Sequence, residues 1–462
     1  MSALEERHAV AIGAFGSALR LDDVPGDVTR FTRLLLLDTL GALLGGVRYP
    51  PVRRLAEDLA SAEGPAADVP FGRLVTLGAA ATWLDADSGG SFHPQGHRLP
   101  PVPTAHPAPH VLPVLLHAAA EGAVDDQRLL EVFLAATEVG LRHSVASTLR
   151  LGLHPHGIHG PGAAALATVL LRDGSAEEAA AAFLLGSSLP MAAILAVPMR
   201  GGTVRNVWTG LGSYHGALAG RRAAQVGAVS PATFSALYDG AVATDLDPDD
   251  LVGGLGERWE IRSSYLKPYA CARWIHPALD ATAQAIAGLD LAATDVESVT
   301  VETFAFAASL GSLDIRTDMQ ARFSLPYCLA TFLTDGHLTA PSFLPEGLAR
   351  PDTLDLARRI SVREVPEFSA ALPRERPTRV RVRGRDGATW TAEVRNARGN
   401  PSDPLSPDEI ELKFRRNVGD LLPREVVDTA VEALLDPAPR SGRRALARLA
   451  RSLLAGPPWA GH

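Results

Sequence analysis

The sequence predicts a mainly α protein with a smaller α+β domain, and three observations carry the prediction. Alanine- and leucine-rich stretches with few β-branched runs fill the first half. Residues 296–304 and 378–394 alternate as strands do, and the pattern turns helical again after Asn400-Pro401. A chain of 462 residues is long enough for two or three domains. The expected division is a helical part over 1–266, an α+β domain over 267–402, and a helical segment over 403–462 that returns to the first part.

Taken in order, Arg30–Val47 carries apolar residues on most faces and is closed by Gly45-Gly46, as a buried helix would be. Further helices are predicted over Val111–Glu121, Gln127–Val145, Gly162–Leu171 and Ala176–Leu185, the last with a Ser175/Glu178 capping box. The stretch Ala179–Met199 has no charge, but Gly186, Ser187, Ser188 and Pro190 divide it into two short buried helices rather than a membrane span. Val296–Phe304 is a strand, and Thr378–Val394 forms two strands around the Asp386-Gly387 turn. Helices are expected over Pro277–Ala287, Pro326–Leu333, Pro407–Phe414 and Pro423–Leu434.

Apolar residues at 46% and charged residues at 21% exclude disorder as the main state. A formal net charge of −8 excludes a broad nucleic-acid footprint. Cys271 and Cys328 are the only cysteines, too few for a disulfide framework or an iron–sulfur cluster, and both read as buried small hydrophobes. The N-terminus lacks a basic-then-apolar leader, so the mature chain is expected to begin near Met1 and to work in the cytoplasm. Lys267 and Lys413 are the only lysines, the rest of the positive charge being arginine. Codon bias alone would produce this, yet a lysine that survives it marks a place where a compact amine matters.

Chemistry-bearing residues gather in five segments. The loop 83–110 holds Asp85, Asp87, His93, His97, His106 and His110 directly before a helix; metal binding, acid–base work and a solvated connection are open, the last favoured for an arbitrary loop, and the helix N-terminus would favour a bound anion. Gly152–Gly162 holds His154, His156 and His159 without the spacing of a metal site, which leaves general acid or base as the better functional reading. Met199–Gly216 places Arg200 and Arg205 among small residues, suited to a carboxylate or to a structural ion pair. Ser264–Ala281 carries Lys267, Tyr269, Cys271, Arg273 and His276, and Gln320–Ala330 carries Tyr327.

In order along the chain, RFTRLLLLDTLGALLGG, WLDADS, AHPAPHVLPVLL, GLHPHG, VRNVWTGLGSYHG, LKPYACARWIHPALDA, ARFSLPYCLA and GNPSDPLSPDEIELKFR resemble the signatures of the MmgE/PrpD family over nearly the whole chain. That family includes 2-methylcitrate dehydratase, cis-aconitate decarboxylase and iminodisuccinate epimerase. The resemblance implies a helical domain built from both chain ends, an inserted α+β domain, a homodimer, and an active site between the domains with no metal or organic cofactor. It matches Asp85 to the acidic loop, His106 to the HP segment, His154 to the GxH turn, Lys267 to the KxYPxC lysine and Tyr327 to the tyrosine after the FS segment. Arg205 falls where lysine is usual. The loop Asp85-Ala86-Asp87-Ser88-Gly89 departs from the family pattern, its connection to His106 is longer, and the GxH turn is one residue short, with His154 preferred over His156 and His159.

The relatives' reactions share negative charge on the carbon next to a carboxylate. Lys267 and Arg205 are therefore expected to hold the substrate carboxylate, with His106 and His154 as acid and base in either order. Tyr327 is expected to donate to a leaving oxygen and Asp85 to orient a histidine. Arg200, His276 and Asp87 complete the expected substrate contacts. The leading expectation is a dehydratase of a β-hydroxy acid of the 2-methylcitrate type. A decarboxylase or epimerase, a non-catalytic carboxylate-binding or scaffold protein, and more distantly a metal-dependent hydrolase are the alternatives. The expected ligand is a small carboxylate, with no nucleic acid and no membrane.

Overall fold

The computed structural model describes residues 4–60, 69–90, 105–122, 124–226, 229–436 and 444–456. His93 and His97 lie outside them. The architecture is mainly helical with a smaller α+β part, as the sequence predicts. Helices α1 (Glu6–Ala18), α2 (Gly26–Val47), α3 (Pro50–Ala60), α4 (Phe71–Trp83), α5 (Ala108–Glu121), α6 (Asp126–Ala146), α7 (Gly160–Leu170) and α8 (Ala176–Ser187) precede a long helix over Val204–Val226.

Helix α2 is buried on nearly every face, from Leu34 to Val47, because it runs through the middle of the helical assembly. Its glycines set how closely its neighbours come. A Cβ on Gly46 would lie 2.0 Å from the Ala80 carbonyl oxygen of α4, and one on Gly41 would lie 3.1 Å from Phe414. Phe414 belongs to the helix Pro407–Val418, so the C-terminal segment packs back onto α2. The Ser175/Glu178 capping box opens α8 in both directions.

The largest sheet has the order β6-β5-β7-β8, where β5 is Val296–Thr303, β6 Ile360–Glu364, β7 Thr378–Gly384 and β8 Thr389–Val394. Strand β5 pairs parallel with β6 and antiparallel with β7. The alternation TRVRVRG puts Val380 and Val382 into the core against the helix His276–Ala285. It puts Arg379 and Arg383 outward, where they pair with Glu302, Glu393 and Glu297.

The charge-free stretch departs from expectation. Helix α8 ends at Ser187, and only the short turn Ala196–Met199 is helical beyond it, with Leu189 and Ile194 exposed. Pro190 and Pro198 forbid a second regular buried helix. Among the described residues no helix is long and apolar enough to cross a membrane. Cys271 and Cys328 are both buried and free.

Candidate active site

Four pieces of chain meet where α4 ends. After Trp83 and Leu84 the backbone turns sharply at Asp85, whose φ of 51° is left-handed. The following pair Gly89–Gly90 (β1) is hydrogen-bonded antiparallel to Ser264–Tyr265 (β4), which delivers Lys267 two residues later. A Cβ on Gly89 would come within 2.8 Å of both His106 Cε1 and Tyr265 Oη, so glycine is what lets these two side chains close over the turn. His106 lies two residues before α5, next to its N-cap Pro107, and Arg205 is the second residue of the helix Val204–Val226. Both positive helix ends favour an anion nearby.

The Lys267 ammonium is buried and donates to the Asp85 carbonyl at 2.7 Å and to its carboxylate at 2.9 Å. Two of its three N–H groups are thereby used, and the third has no hydrogen-bond partner among the described residues. Burial pushes its pKa down, but Asp85 and Asp87 push it up further, so the group stays charged. Arg205 is turned entirely inward. Its Nη1 donates to the Thr82 carbonyl at 2.7 Å and to Asn206 at 3.0 Å. Its Nη2 donates to Asp85 at 2.6 Å, to His156 Nε2 at 3.0 Å and to Asp87 at 3.4 Å. Both terminal nitrogens thereby order the two aspartates, His156 and the end of α4, and only Nε lacks a hydrogen-bond partner among the described residues. Burial pushes the Asp87 carboxyl up, but Arg205, Lys267 and His106 outweigh it and hold the group well below the usual carboxylate range.

Nδ1 of His106 sits 2.7 Å from the Ser88 carbonyl and 2.8 Å from Asp87 Oδ2. Its N–H is directed at the carbonyl, which leaves that Asp87 oxygen without an aligned donor among the described residues. The His156 ring lies 4.6 Å from His106 and 4.7 Å from His154, centroid to centroid. His154 Nδ1 accepts the His156 backbone N–H at 3.2 Å, so in the neutral ring Nε2 carries the proton. His110 donates from Nδ1 to the His106 carbonyl and accepts at Nε2 from the Gly157 N–H, which spends both nitrogens on scaffolding.

Asp87, His106 and His156 together have the donor set of a metal site, with their ligand atoms within 4.8 Å of one another. The Arg205 guanidinium already touches two of the three, so a divalent cation would meet a fixed positive charge at its own ligands. The donor set therefore fits a metal poorly.

A family model for the MmgE/PrpD N-terminal domain matches residues 10–194, and one for the C-terminal domain matches residues 269–436. The chain belongs to the MmgE/PrpD family. Cis-aconitate decarboxylase of Aspergillus terreus is 26% identical over 444 residues, covering 88% of each chain. The enzyme of the same name from Mus musculus is 28% identical over 123 residues, or 26% of this chain and 25% of the relative. These comparisons support a lyase-type enzyme. Arg205 and Lys267 both lie between the two MmgE/PrpD matches.

Of the expected site residues, the structure brings together Asp85, Asp87, His106, His154, Arg205 and Lys267. Three others make no hydrogen bond to these groups among the described residues. Tyr327 Oη donates to the Ser342 carbonyl at 2.9 Å and to the Gly347 carbonyl at 3.2 Å, and burial pushes its phenol up to about 12. Arg200 is exposed at the end of the Ala196–Met199 turn. His276 accepts from Arg273 at Nδ1 and donates from Nε2 to the Cys271 carbonyl, so neither nitrogen is left for a ligand. His156, which the sequence reading ranked below His154, lies among these groups, and so does Tyr265, which that reading missed, its ring facing His106 edge-on at 6.3 Å with Arg273 over its face at 4.9 Å. Phenylalanine at Tyr327 is expected to cost about 1–2 kcal/mol of stability, by stranding two buried carbonyls, and to leave turnover within about threefold of wild type. Thermal melts read beside initial rates check both.

Six buried histidines, 110, 143, 154, 156, 159 and 276, have pKa values lowered first of all by burial, His110 to about 4 and His159 to about 3. Both ring nitrogens of His143 lack a hydrogen-bond partner among the described residues. Unfolding frees each ring to titrate near pH 6.5, so the stabilisation is complete above that value and is lost as pH falls toward the folded-state values. Each extra proton on the unfolded chain is worth about 1.4 kcal/mol per pH unit. The melting temperature is expected to fall by about 10 °C between pH 6.5 and pH 5. A flat profile there would mean that these rings are charged in the native state.

Proposed function

We propose that this protein is a lyase, working without a cofactor, that develops negative charge on a carbon beside a carboxylate, with decarboxylation of a cis-aconitate-like polycarboxylate as the first reading. The observation that carries it is the convergence of the Lys267 ammonium, whose third N–H has no partner among the described residues, and the His106 and His154 rings around two buried carboxylates. In the proposed step the bond to a departing carboxylate breaks and carbon dioxide leaves with that carbon. The electron pair remains on the substrate carbon, delocalised toward a neighbouring carboxylate that Lys267 holds, and a proton from a histidine completes the product. Decarboxylation needs one proton donor and no acid for a leaving hydroxyl. The resemblance to cis-aconitate decarboxylase over 88% of each chain supports this order of readings over the dehydratase that the sequence put first.

Dehydration of a β-hydroxy acid is kept as the second reading because the Tyr265 phenol, beside His106, supplies the second donor such a reaction needs. Purified, chelator-treated protein incubated with cis-aconitate, citrate and a panel of β-hydroxy acids in deuterated water separates the two. Loss of carbon dioxide with one solvent deuterium in the product supports decarboxylation, loss of water supports dehydration, and deuterium uptake without mass loss supports epimerisation. An unchanged panel would overturn the small-polycarboxylate reading.

A further inference from the structure

The chain's two lysines converge on one turn. Lys267 donates to the Asp85 carbonyl at 2.7 Å. Lys413, on the helix Pro407–Val418, donates to the Ala86 carbonyl at 3.0 Å and to Asp38 Oδ1 of α2 at 2.6 Å. Two buried ammonium groups from distant parts of the chain thus hold consecutive carbonyls of the Asp85-Ala86-Asp87 turn. Asp85 there adopts a φ of 51°, which a non-glycine residue keeps only when its surroundings impose it. The peptide groups on either side of Ala86 set where the two carboxylates point, Asp85 toward Lys267 and Arg205, and Asp87 toward His106 and His156.

Asp38 is fully buried and holds Lys413 in place. Burial pushes its carboxyl up, Lys413 draws it back, and both Asp87 and Lys267 are near enough to act on it as well. A guanidinium, with its charge spread over a planar fork, is a poor substitute for an ammonium that must reach one carboxylate and one carbonyl at a point.

We propose that Lys413, anchored by Asp38, is a positioning residue for the active site: it fixes the Ala86 carbonyl and, through that turn, the aim of Asp85, Asp87 and His106. The proposal rests on the lyase reading for its effect on turnover. The competing account is an ordinary buried ion pair that ties the Pro407–Val418 helix to α2.

Two double variants separate these accounts. Asp38→Asn with Lys413→Met removes both charges, which avoids a stranded buried ion, and also removes the donor to Ala86. Asp38→Asn with Lys413→Gln removes the same charges but keeps a donor. Positioning predicts that the methionine variant folds yet loses about 10–100-fold in kcat on the substrate identified by the panel, with KM nearly unchanged. The glutamine variant is then expected to recover most of that loss. A second readout needs no substrate. With lysine labelled by ¹⁵N at Nζ, each double variant has one lysine left, and the Lys267 signal is expected to shift in the methionine variant and to return toward its wild-type position in the glutamine variant. Equal kcat in the two variants, an unmoved Lys267 signal, or failure of both to fold would overturn the proposal. A panel without turnover would sink the lyase reading alone, because the Lys267 signal still reports on the turn.

Discussion

Methionine in place of Lys267 is expected to lower kcat/KM by about 10³-fold and to cost about 3–5 kcal/mol of stability. Both effects come from the same contacts. The ammonium touches the Asp85 carbonyl and carboxylate, and Asp85 and Asp87 would otherwise share the single guanidinium of Arg205. Removing one partner of a buried ion cluster leaves an uncompensated charge, which is where the stability loss arises. The rate loss follows from the proposed role of the third N–H, which has no partner among the described residues, because a donor preorganised toward developing negative charge is worth about 10²–10³ in rate by itself. Arginine at 267 is expected to rescue little, since its planar fork cannot reproduce contacts at 2.7 and 2.9 Å to two oxygens of one residue. Because Asp85 and Asp87 hold the lysine pKa above its ordinary value, its contribution to stability is complete below about pH 10.4 and is lost only as pH rises through the folded-state value. The rate loss in the variant is therefore expected to be the same at pH 6 and pH 8. Urea melts and pH-resolved kinetics read both quantities, and wild-type turnover in the methionine variant would remove Lys267 from the chemistry.

Elements whose stability is local were the legible ones. The leucine run of α2, the Ser175/Glu178 box and the TRVRVRG alternation each state their structure within one short window. The helix Val204–Val226 did not and was absent from the predicted helices, because Gly210, Gly212, Gly216 and Gly220 lower its local helix propensity. Each is glycine because a neighbour comes too close for a Cβ: the Val75 carbonyl, the His110 ring, Ala164 and Thr168 respectively. Tertiary packing there overrides helix propensity. The site was legible in its charged residues, since buried Asp, His and Lys near one another have few other uses. The direction in which each points was not. Arg205 faces Asp85 and Asp87, Tyr327 satisfies two backbone carbonyls, and Tyr265 enters only through a strand pairing between residues 89–90 and 264–265. These depend on long-range contacts that no window of sequence contains.

The hydrogen-bond network also divides labour between the two histidines that the sequence left interchangeable. His154 accepts at Nδ1 from a backbone N–H, and burial, then Arg205, keep the ring neutral. It therefore presents Nε2–H, a donor. His106 has two oxygens at Nδ1, so its proton sits on that nitrogen, and in the neutral ring Nε2 is the acceptor. We propose that His154, as a neutral Nε2–H donor, gives that proton to the far more basic substrate carbanion and is reprotonated from solvent, and that His106, with a lone pair at Nε2, is the base. Decarboxylation needs the acid, whereas dehydration and epimerisation need the base as well. Asparagine at His154 is accordingly expected to cost about 10²–10⁴-fold in turnover whichever reaction the panel identifies. Asparagine at His106 is expected to cost as much only for a reaction that begins with proton abstraction, and to leave decarboxylation within about tenfold of wild type. Rates of carbon dioxide release, and of deuterium exchange into unreacted substrate, measured for both variants give the answer directly. Exchange that survives at His106→Asn but disappears at His154→Asn would reverse the two roles, and with them the reading of both tautomers.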